Sequence, residues 1–279
     1  MKRYSYINKV REWVKGVLPF GILCLIPLCC SCSHIADDEQ LIYVKPETAK
    51  RTVLLEDFTG QKCVNCPKGT EVIEQLQEAY GDRVIAVGIH GGPLGVLDNG
   101  KNGGLATTIG NEYYDHWKLE YQPVGLVNRH GAVNYPDWIT KVKEELARES
   151  AVKMDLSATL SSTGEIQIYV EAEAIDATYQ GHLQVWVLED NIVATQYMPT
   201  DWTGDWTGNI NKNYVHNHVF RAAVNGTWGE DITLTTGEKH TQNLTQTVSA
   251  DWNAQHLSIV AFVYNDNGVE QAIKANVTQ

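Results

Sequence analysis

Two cysteines, Cys63 and Cys66, are the residues of this chain whose type and spacing could support chemistry. They follow an apolar stretch, residues 53–55, that predicts a strand, and they precede a run of apolar residues at helical spacing. The pair is therefore predicted at a strand-to-helix turn, with Cys66 in the first helical turn beside Pro67. Free N–H groups and the positive end of the helix dipole stabilise a thiolate there, so the pKa of Cys63 should be lowered. This position favours a redox-active pair.

A structural disulfide is the main alternative for this pair, and a zinc site is a weaker one. In the chain-entropy account, a disulfide that closes four residues contributes about 2 kcal/mol, against nearly 5 kcal/mol for a loop of ~100 residues. A Cys-x-x-Cys bridge is therefore a poor staple. A structural zinc site takes about four ligands, and the sequence after residue 32 has no second Cys-x-x-Cys and no Cys-x-x-His near the pair. We predict no metal and no cofactor, and the redox-active pair is the leading hypothesis.

The segments around the cysteines predict an α/β domain over residues 50–150. A strand, a helix and a second strand with short connections imply a right-handed parallel crossover. The predicted elements, in order, are strand 51–58, helix 67–80, strand 83–90, a glycine-rich flexible excursion over 91–104, a short helix near 109–117, a strand after Pro123 and a helix over 136–149.

Residues 151–279 change to period-two alternation, which predicts an all-β domain. Turn sequences such as residues 265–268, Asn-Asp-Asn-Gly, are typical of hairpins. An Ig-like β-sandwich is the natural packing, so the predicted fold class is α/β plus all-β. The expected strands lie near 152–160, 165–175, 182–190, 192–197, 240–249, 256–264 and 269–277.

The segment between the fourth and fifth of these strands, residues 198–238, is predicted to be a long polar connection. It carries Trp202 and Trp206 in a tandem Asp-Trp-Thr-Gly repeat, and then His216 and His218. The tryptophans could stack on a sugar or a peptide, or could anchor the loop. The histidines would share one face of a strand, although a pair without a third ligand is more typical of surface or hydrogen-bonded residues. All four are candidate ligand-binding residues.

The first 31 residues have the layout of a bacterial lipoprotein signal peptide. A basic segment is followed by an apolar run, too short for a transmembrane span, and then by a cluster of cysteines. Cys32, preceded by a small residue, is the best candidate for lipidation, with Cys29 and Cys30 as alternatives, and a signal peptide without lipid remains a further one. Residues 32–49 form the predicted tether, and the folded part keeps only Cys63 and Cys66 as cysteines.

The charge balance excludes one class of partner. The chain carries 22 Lys and Arg against 34 Asp and Glu. Five of these basic residues and one acid precede residue 18, so the remaining chain has a net charge of 17 − 33 = −16. Neither nucleic acid nor an anionic membrane face is an electrostatic partner for such a protein. The membrane partner is instead reached through the N-terminal lipid anchor.

The order strand, Cys-x-x-Cys, helix, strand, insert, X-Pro-strand and helix resembles the thioredoxin fold. Asp57 precedes Cys63 by six residues, as the buried acid of thioredoxins does, and Pro123 stands where their cis-proline stands. This resemblance implies that Cys63 is the exposed nucleophile, that Cys66 is the resolving thiol, and that Asp57 accepts a proton from Cys66. It also implies that Pro123 is cis and presents its backbone to a bound peptide.

Two of these residues have simpler interpretations, and the motif departs from the thioredoxin pattern. Asp57 could be a strand-end residue with a local hydrogen bond, and Pro123 could be a trans proline that opens a strand. Lys62 replaces the tryptophan usual before the first cysteine, and residues 64–65, Val-Asn, are not a common redox dipeptide. These departures concern the potential and the partner more than the fold.

The leader, the Phe-Thr-Gly-x-x-Cys-x-Asn-Cys-Pro motif and His-Asn-His-Val-x-Arg together resemble the twenty-eight-kilodalton outer-membrane-protein (Omp) family of Bacteroidetes lipoproteins. The resemblance implies an outer-membrane lipoprotein of the cell envelope, without deciding the face of the membrane. The leading hypothesis is a thiol–disulfide oxidoreductase acting on protein or peptide thiols and disulfides. The alternative is a non-catalytic binding or adhesion module on a thioredoxin scaffold. A fold that seals both sulfurs, or that places Pro123 far from Cys63, would favour the alternative.

Overall fold

The computed structural model describes residues 48–97 and 103–279. The predicted signal peptide, the candidate lipidation residue Cys32, its alternatives Cys29 and Cys30, and nearly all of the tether therefore lie outside the described residues. The described residues all belong to one compact unit.

The described residues are mostly β-strand, with few helices. The helices are α1 (Cys66–Tyr80), α2 (Thr108–His116) and α3 (Trp138–Leu146). The strands are β1 (Ala49–Lys50), β2 (Val53–Thr59), β3 (Val84–His90), β4 (Val124–Val127), β5 (Ala132–Asn134), β6 (Glu149–Ser150), β7 (Val152–Leu160), β8 (Glu165–Ala174), β9 (Tyr179–Glu189), β10 (Ile192–Tyr197), β11 (Ile210–His216), β12 (Val219–Ala223), β13 (Glu230–Leu234), β14 (His240–Thr247), β15 (Leu257–Asn265) and β16 (Gly268–Asn276).

The first half contains the predicted strand–helix–strand crossover. Strands β2 and β3 pair in parallel, and β4 and β5 continue the sheet in antiparallel pairing. Alternate residues of β2 and β3, such as Val53 and Leu55, pack under α1 and α3 against Leu76 and Trp138. Because side chains alternate between the faces of a strand, Asp57 lies on this helix-covered face and Glu56 on the opposite one.

One continuous sheet joins strands from both sides of residue 150. Its order is β16-β15-β9-β12-β3-β2-β4-β5, with β13 paired to β9. The junction is the parallel pair β3–β12, where Val219 lies opposite Gly88 and the Gly88 N–H donates to the His218 carbonyl at 2.8 Å. Strands of both predicted domains thus share one sheet, and the predicted domain boundary near residue 150 stays a prediction.

A second, three-stranded sheet of order β14-β8-β7 covers the C-terminal part of the large sheet. Strand β8 buries every second residue, as its alternation predicts. These residues pack against β9 and β15 in an apolar core that includes Ile168, Val170, Val185 and Ile259. The second half is therefore built from two packed layers of strands.

The predicted connection over residues 198–238 is wrong as a connection, because it contains β11, β12 and β13. Strand β11 pairs with β10 in a separate two-stranded sheet whose outer residues, such as Val193 and Val215, are exposed. It therefore lacks the strong apolar alternation by which a half-buried strand is recognised. We refer to β10, β11 and the loop between them, residues 192–216, as the covering ribbon.

Candidate functional site

Cys63 and Cys66 lie at the predicted strand-to-helix turn and are joined by a disulfide. Strand β2 ends at Thr59, and α1 begins at Cys66 with Pro67 in its first turn. The turn closes through hydrogen bonds from the Cys63 N–H to the Gly60 carbonyl (3.0 Å) and from the Cys66 N–H to the Cys63 carbonyl (3.4 Å). The position of the pair at the start of the helix is confirmed.

The expectation that Cys63 is exposed is wrong. Cys63 is 1% exposed and Cys66 is 2% exposed. The physical reason is the covering ribbon, which lies against the turn. The side-chain amide of Gln196 donates to the Cys63 carbonyl at 2.8 Å and to the Gly60 carbonyl at 3.3 Å. In this closed arrangement neither sulfur meets an incoming chain.

A second glutamine holds the ribbon from the side of the turn. The Tyr197 N–H donates to the Gln61 carbonyl at 2.8 Å, and the Gln61 amide donates to the Thr195 carbonyl at 3.2 Å. Gln61 also accepts from the Leu105 N–H at 2.9 Å. Gln61 and Gln196 are both buried, so their hydrogen bonds form away from competing water.

Pro123 is brought against the start of α1, as the resemblance implied. The Gln122–Pro123 bond is cis, and this prediction is confirmed. A Cβ atom added at Gly69, in the first turn of α1, would lie 3.3 Å from the Pro123 side chain. The neighbouring Gln122 side chain is buried and donates to the carbonyls of Thr59 (2.6 Å) and Gly91 (3.0 Å). The proline loop, the end of β2 and α1 therefore meet around the cysteines.

Asp57 lies near the end of β2 beneath this turn. Its carboxyl is buried, and among the described residues its Oδ1 atom has no hydrogen-bond partner. Burial raises the pKa of Asp57 to about 8. The carboxyl is therefore protonated over much of the neutral range and can accept a proton once it is ionised.

A polar cavity of about 220 Å³ lies between α1 and β11. Asp57, Cys66, His90, Tyr214 and His216 are among the residues that line it. A water molecule takes about 30 Å³ in the liquid, so the cavity has room for several. It places the buried carboxyl and the second cysteine of the pair against one polar space.

Two buried histidines face each other at this cavity. The ring centroids of His90 and His216 lie 5.2 Å apart. Burial lowers the pKa of His216 to about 4. Burial, together with the charges of His216 and Arg221, lowers the pKa of His90 well below its usual range. Both rings are therefore neutral at pH 7.

The predicted pair His216 and His218 does not share one face of a strand. His216 ends β11 and is buried, whereas His218 lies beyond the strand with a φ of 57°. The His218 ring lies 2.9 Å from the Asp190 carboxyl. Both histidines nevertheless line the cavity, and their predicted role in ligand binding stays a prediction.

The two tryptophans of the ribbon loop are half-buried. Gly204 packs directly against the Trp206 ring, and the main-chain N–H of Trp206 donates to the Gly204 carbonyl at 2.8 Å. These are contacts within the loop, as expected of a tryptophan that anchors it. Asp201, next to Trp202, lies 3.2 Å from the Lys68 ammonium group in α1. The loop therefore lies beside the start of the helix, and ligand binding by the tryptophans also stays a prediction.

Four residues of this site were missed in the sequence: Gln61, His90, Gln196 and Tyr214. Gln61 lies inside the cysteine motif and His90 ends a predicted strand, so their positions alone could have drawn attention to them. Gln196 and Tyr214 lie more than a hundred residues after the cysteine motif in sequence. No local sequence pattern predicts that they reach the site.

The family of the chain follows from a match to a protein-family model described as "Outer membrane protein Omp28", which covers residues 110–279. The chain belongs to the Omp28 family. This confirms the predicted relation to outer-membrane lipoproteins and the location in the cell envelope. The matched part includes Pro123 and the covering ribbon, but it begins after Asp57 and the two cysteines. Family membership therefore gives no support to redox chemistry.

Two solved structures from one organism are similar to parts of this chain. HBP35 of Porphyromonas gingivalis is 16% identical with a TM-score of 0.59, over 82% of this chain and 76% of that one. A domain of the outer membrane lipoprotein Omp28 from the same organism is 22% identical with a TM-score of 0.32, over 46% of this chain and 89% of that one. A search of curated protein sequences finds no match. The likeness to HBP35 shows a shared fold and no more.

No helix within residues 48–97 or 103–279 is both long and apolar enough to cross a membrane. Within the same residues, no three His, Cys, Asp or Glu side chains are grouped so that they could hold a metal ion. The candidate site thus consists of the disulfide, Asp57, the cavity and the ribbon over them.

Proposed function

We propose that this Omp28-family lipoprotein performs thiol–disulfide exchange on protein or peptide partners through Cys63 and Cys66. In this proposal residues 50–150 are a thioredoxin-like unit and residues 151–279 an Ig-like β-sandwich that contributes to partner choice. The order of β2, α1, β3, β4 and α3 supports the first assignment, together with the cis Pro123 against α1. The two packed layers of strands support the second.

The observation that carries the proposal is the buried carboxyl of Asp57, which lines one cavity with Cys66 and whose Oδ1 atom has no hydrogen-bond partner among the described residues. A buried polar group without a partner costs free energy, and a carboxylate costs far more than a neutral group. A disulfide that only staples the turn gains nothing from such a neighbour. A general base, by contrast, works best with a pKa near the working pH, and the pKa of Asp57 is about 8.

The reduced protein carries out the exchange in two successive thiolate attacks. The Cys63 thiolate attacks a sulfur of the partner's disulfide, which forms a mixed disulfide and releases the partner's other sulfur as a thiolate. Cys66 gives its proton to the Asp57 carboxylate, and the Cys66 thiolate attacks the Cys63 sulfur. The Cys63–Cys66 disulfide forms, and the second partner sulfur leaves as a thiolate. The partner's disulfide gains two electrons and the cysteine pair loses two.

This chemistry requires an open form of the protein in which the covering ribbon has left the cysteine turn. Hydrogen bonds from Gln61, Gln196 and Tyr197 hold the ribbon there, together with the Lys68–Asp201 ion pair and the packing of Ala194 against Leu105 and Val219. A hydrogen bond contributes about 0.5–1.5 kcal/mol net, and local openings of folded proteins span free energies from near zero to the global value. An opening of the ribbon alone is therefore within reach without unfolding the sheet.

The burial of both sulfurs favours a second candidate function. In that alternative the Cys63–Cys66 disulfide stays oxidised, the thioredoxin-like unit is a scaffold, and the protein is a binding module of the envelope. Trp202, Trp206, His216 and His218 would then contribute to ligand recognition. The exposures of 1% and 2% at the two cysteines are the observation behind this alternative.

Disulfide reductase activity of the leader-free protein decides between the two candidates. Exchange predicts that Cys63→Ser abolishes reduction of a model protein disulfide, whereas a substitution of Cys32 in the tether leaves it unchanged. Full activity in Cys63→Ser would refute exchange. A glutathione titration adds an equilibrium readout, because a potential far below about −300 mV is typical of inert structural disulfides and would favour the scaffold.

A further inference from the structure

The covering ribbon meets the cysteine turn as a short extended segment, Thr195–Tyr197 of β10. The Tyr197 N–H donates to the Gln61 carbonyl at 2.8 Å, and the Thr195 carbonyl accepts from the Gln61 amide at 3.2 Å. Two alternate residues of the segment therefore bond to one residue of the turn. The segment thus docks through its own main chain, as extended peptides do, while the turn contributes one main-chain carbonyl and one side-chain amide.

The residue between them supplies a side-chain amide to the same turn. Gln196 donates to the carbonyls of Cys63 (2.8 Å) and Gly60 (3.3 Å) and is 2% exposed. These carbonyls belong to the cysteine turn, where each also accepts from a main-chain N–H of the turn, and the loss of the second donor costs free energy when the site is buried. A segment that covers the turn in the same way therefore brings both a main-chain N–H and a side-chain donor.

We propose that residues 60–63 form a docking surface for an extended peptide that presents a Gln or Asn side chain, and that Thr195–Tyr197 is this chain's own occupant of that surface. The inference rests on the proposed function, since it names the class of partner that exchange would act on. A partner segment replaces the ribbon by matching its three kinds of hydrogen bond. A cysteine beside the partner's carboxamide then arrives at the disulfide.

The ribbon segment is an unreactive occupant, which fits a covering role. The residues next to Gln196 are Thr195 and Tyr197, and neither carries a sulfur that could attack or be attacked. The closed form therefore protects the Cys63–Cys66 bond from small thiols without forming a mixed disulfide. A partner competes with a segment already tethered to the site, so only peptides that reproduce its contacts displace it.

Replacement of the Gln196 amide by an apolar side chain of similar size tests this docking surface. The measured quantity is the rate at which a small dithiol reduces Cys63–Cys66 in the leader-free protein. Gln196→Leu should raise this rate about tenfold or more, because the closed form loses the two bonds that the amide donates, and the Gly60 and Cys63 carbonyls keep only their bonds from the Cys63 and Cys66 N–H groups. Gln184→Leu is the matched control. Gln184 is equally buried and donates to Asn225 and to the Gly226 carbonyl, away from the cysteines, so its loss should leave the rate within about twofold.

A peptide with the sequence of residues 193–198 provides the second arm. Added in excess to Gln196→Leu, it should return the reduction rate toward the wild-type value, whereas the same peptide with Leu at the Gln196 position should not. An unchanged rate in Gln196→Leu would overturn the proposal, and so would equal effects of the two peptides. If Gln196→Leu does not fold, Gln196→Asn, which shortens the side chain by one methylene, must give a smaller acceleration in the same direction.

The readout separates this inference from the proposed function. Reduction by a small dithiol and its protection by peptide require only the disulfide and the docking surface. Turnover of a protein disulfide requires Cys63 as nucleophile as well. Loss of the docking effects with intact turnover overturns the inference alone, and intact docking effects with full turnover in Cys63→Ser overturn the proposed function alone.

Discussion

Two adjacent acidic residues of β2, Glu56 and Asp57, are both buried, but they differ in the partners of their carboxyl groups. On one face of the sheet, Glu56 forms a 3.0 Å ion pair with Arg129. The Arg129 guanidinium also lies over the rings of Phe262 and Tyr264, at 4.8 and 4.3 Å from their centroids. On the other face, the Oδ1 atom of Asp57 has no hydrogen-bond partner among the described residues.

We infer from this difference that Glu56 stabilises the fold and that Asp57 belongs to the candidate site. The pair Glu56–Arg129 joins residues of the first half to aromatic rings of the second, so it holds the shared sheet together. Burial alone would lower the pKa of Arg129, but the ion pair with Glu56 raises it, so the guanidinium stays charged. Asp57 makes no such contribution, and its position beside the disulfide is the reason we assign it to chemistry.

The largest effect is expected at the ion pair. Glu56→Gln leaves the Arg129 charge buried without a partner, which typically costs about 3–5 kcal/mol. Urea unfolding at pH 7 measures the loss. Asp231→Asn is the control, because Asp231 pairs with His182 in the open, with its side chain 94% exposed, and should change stability by less than about 1 kcal/mol. Similar small effects of both variants would contradict the structural role of Glu56.

Asp57→Asn should change the pH dependence of stability. The pKa of Asp57 rises from 3.8 in a free side chain to about 8 in the folded protein. Between these values the unfolded chain has released the proton and the folded chain still holds it, so stability falls as pH rises. One group contributes a slope of up to about 1.4 kcal/mol per pH unit. Unfolding from pH 4 to pH 8 should show a flatter profile in Asp57→Asn, and parallel profiles would rule out the buried acid.

His216 gives a smaller effect of opposite sign. Its pKa falls from 6.5 to about 4 on burial. Between these pH values the His216 ring is protonated in the unfolded chain and neutral in the folded protein. Stability is then present above pH 6.5 and is lost as pH falls toward 4. His216→Gln should lose less stability than the wild type across this window, since only His90 remains of the facing pair. An unchanged acid profile would indicate that His216 is not buried in solution.

Local patterns were sufficient to predict the parts of the site that are near in sequence. The apolar strand before Cys63, the helical spacing after Cys66 and the strand ending at His90 predicted β2, α1 and β3 to within about two residues. The cis bond at Pro123 followed from the thioredoxin resemblance. For β2, α1 and β3, the residues that determine the structure lie within one or two elements of the cysteines.

The cover over the cysteines could not be predicted in this way. Gln196 bonds to Cys63 across 133 positions of sequence, and β11 is polar enough to look like a loop. The pairing of β12 with β3 consists of one register contact, Val219 with Gly88. The hydrophobic periodicity of the sequence does not predict such a contact. Burial of Cys63 is therefore a tertiary property, and the sequence alone predicted an exposed nucleophile.

The proposed exchange depends on Asp57 as the base for Cys66. The rate at which the Cys63–Cys66 disulfide forms tests that assignment most directly. The reduced, leader-free protein is mixed with a model disulfide, and formation of the Cys63–Cys66 bond is followed from pH 6 to pH 9 in the wild type and in Asp57→Asn. General-base catalysis contributes about 10²–10⁴-fold. If Asp57 is this base, Asp57→Asn is slower by about 10²-fold or more near pH 8. Equal rates in the two proteins across this range would contradict the assignment.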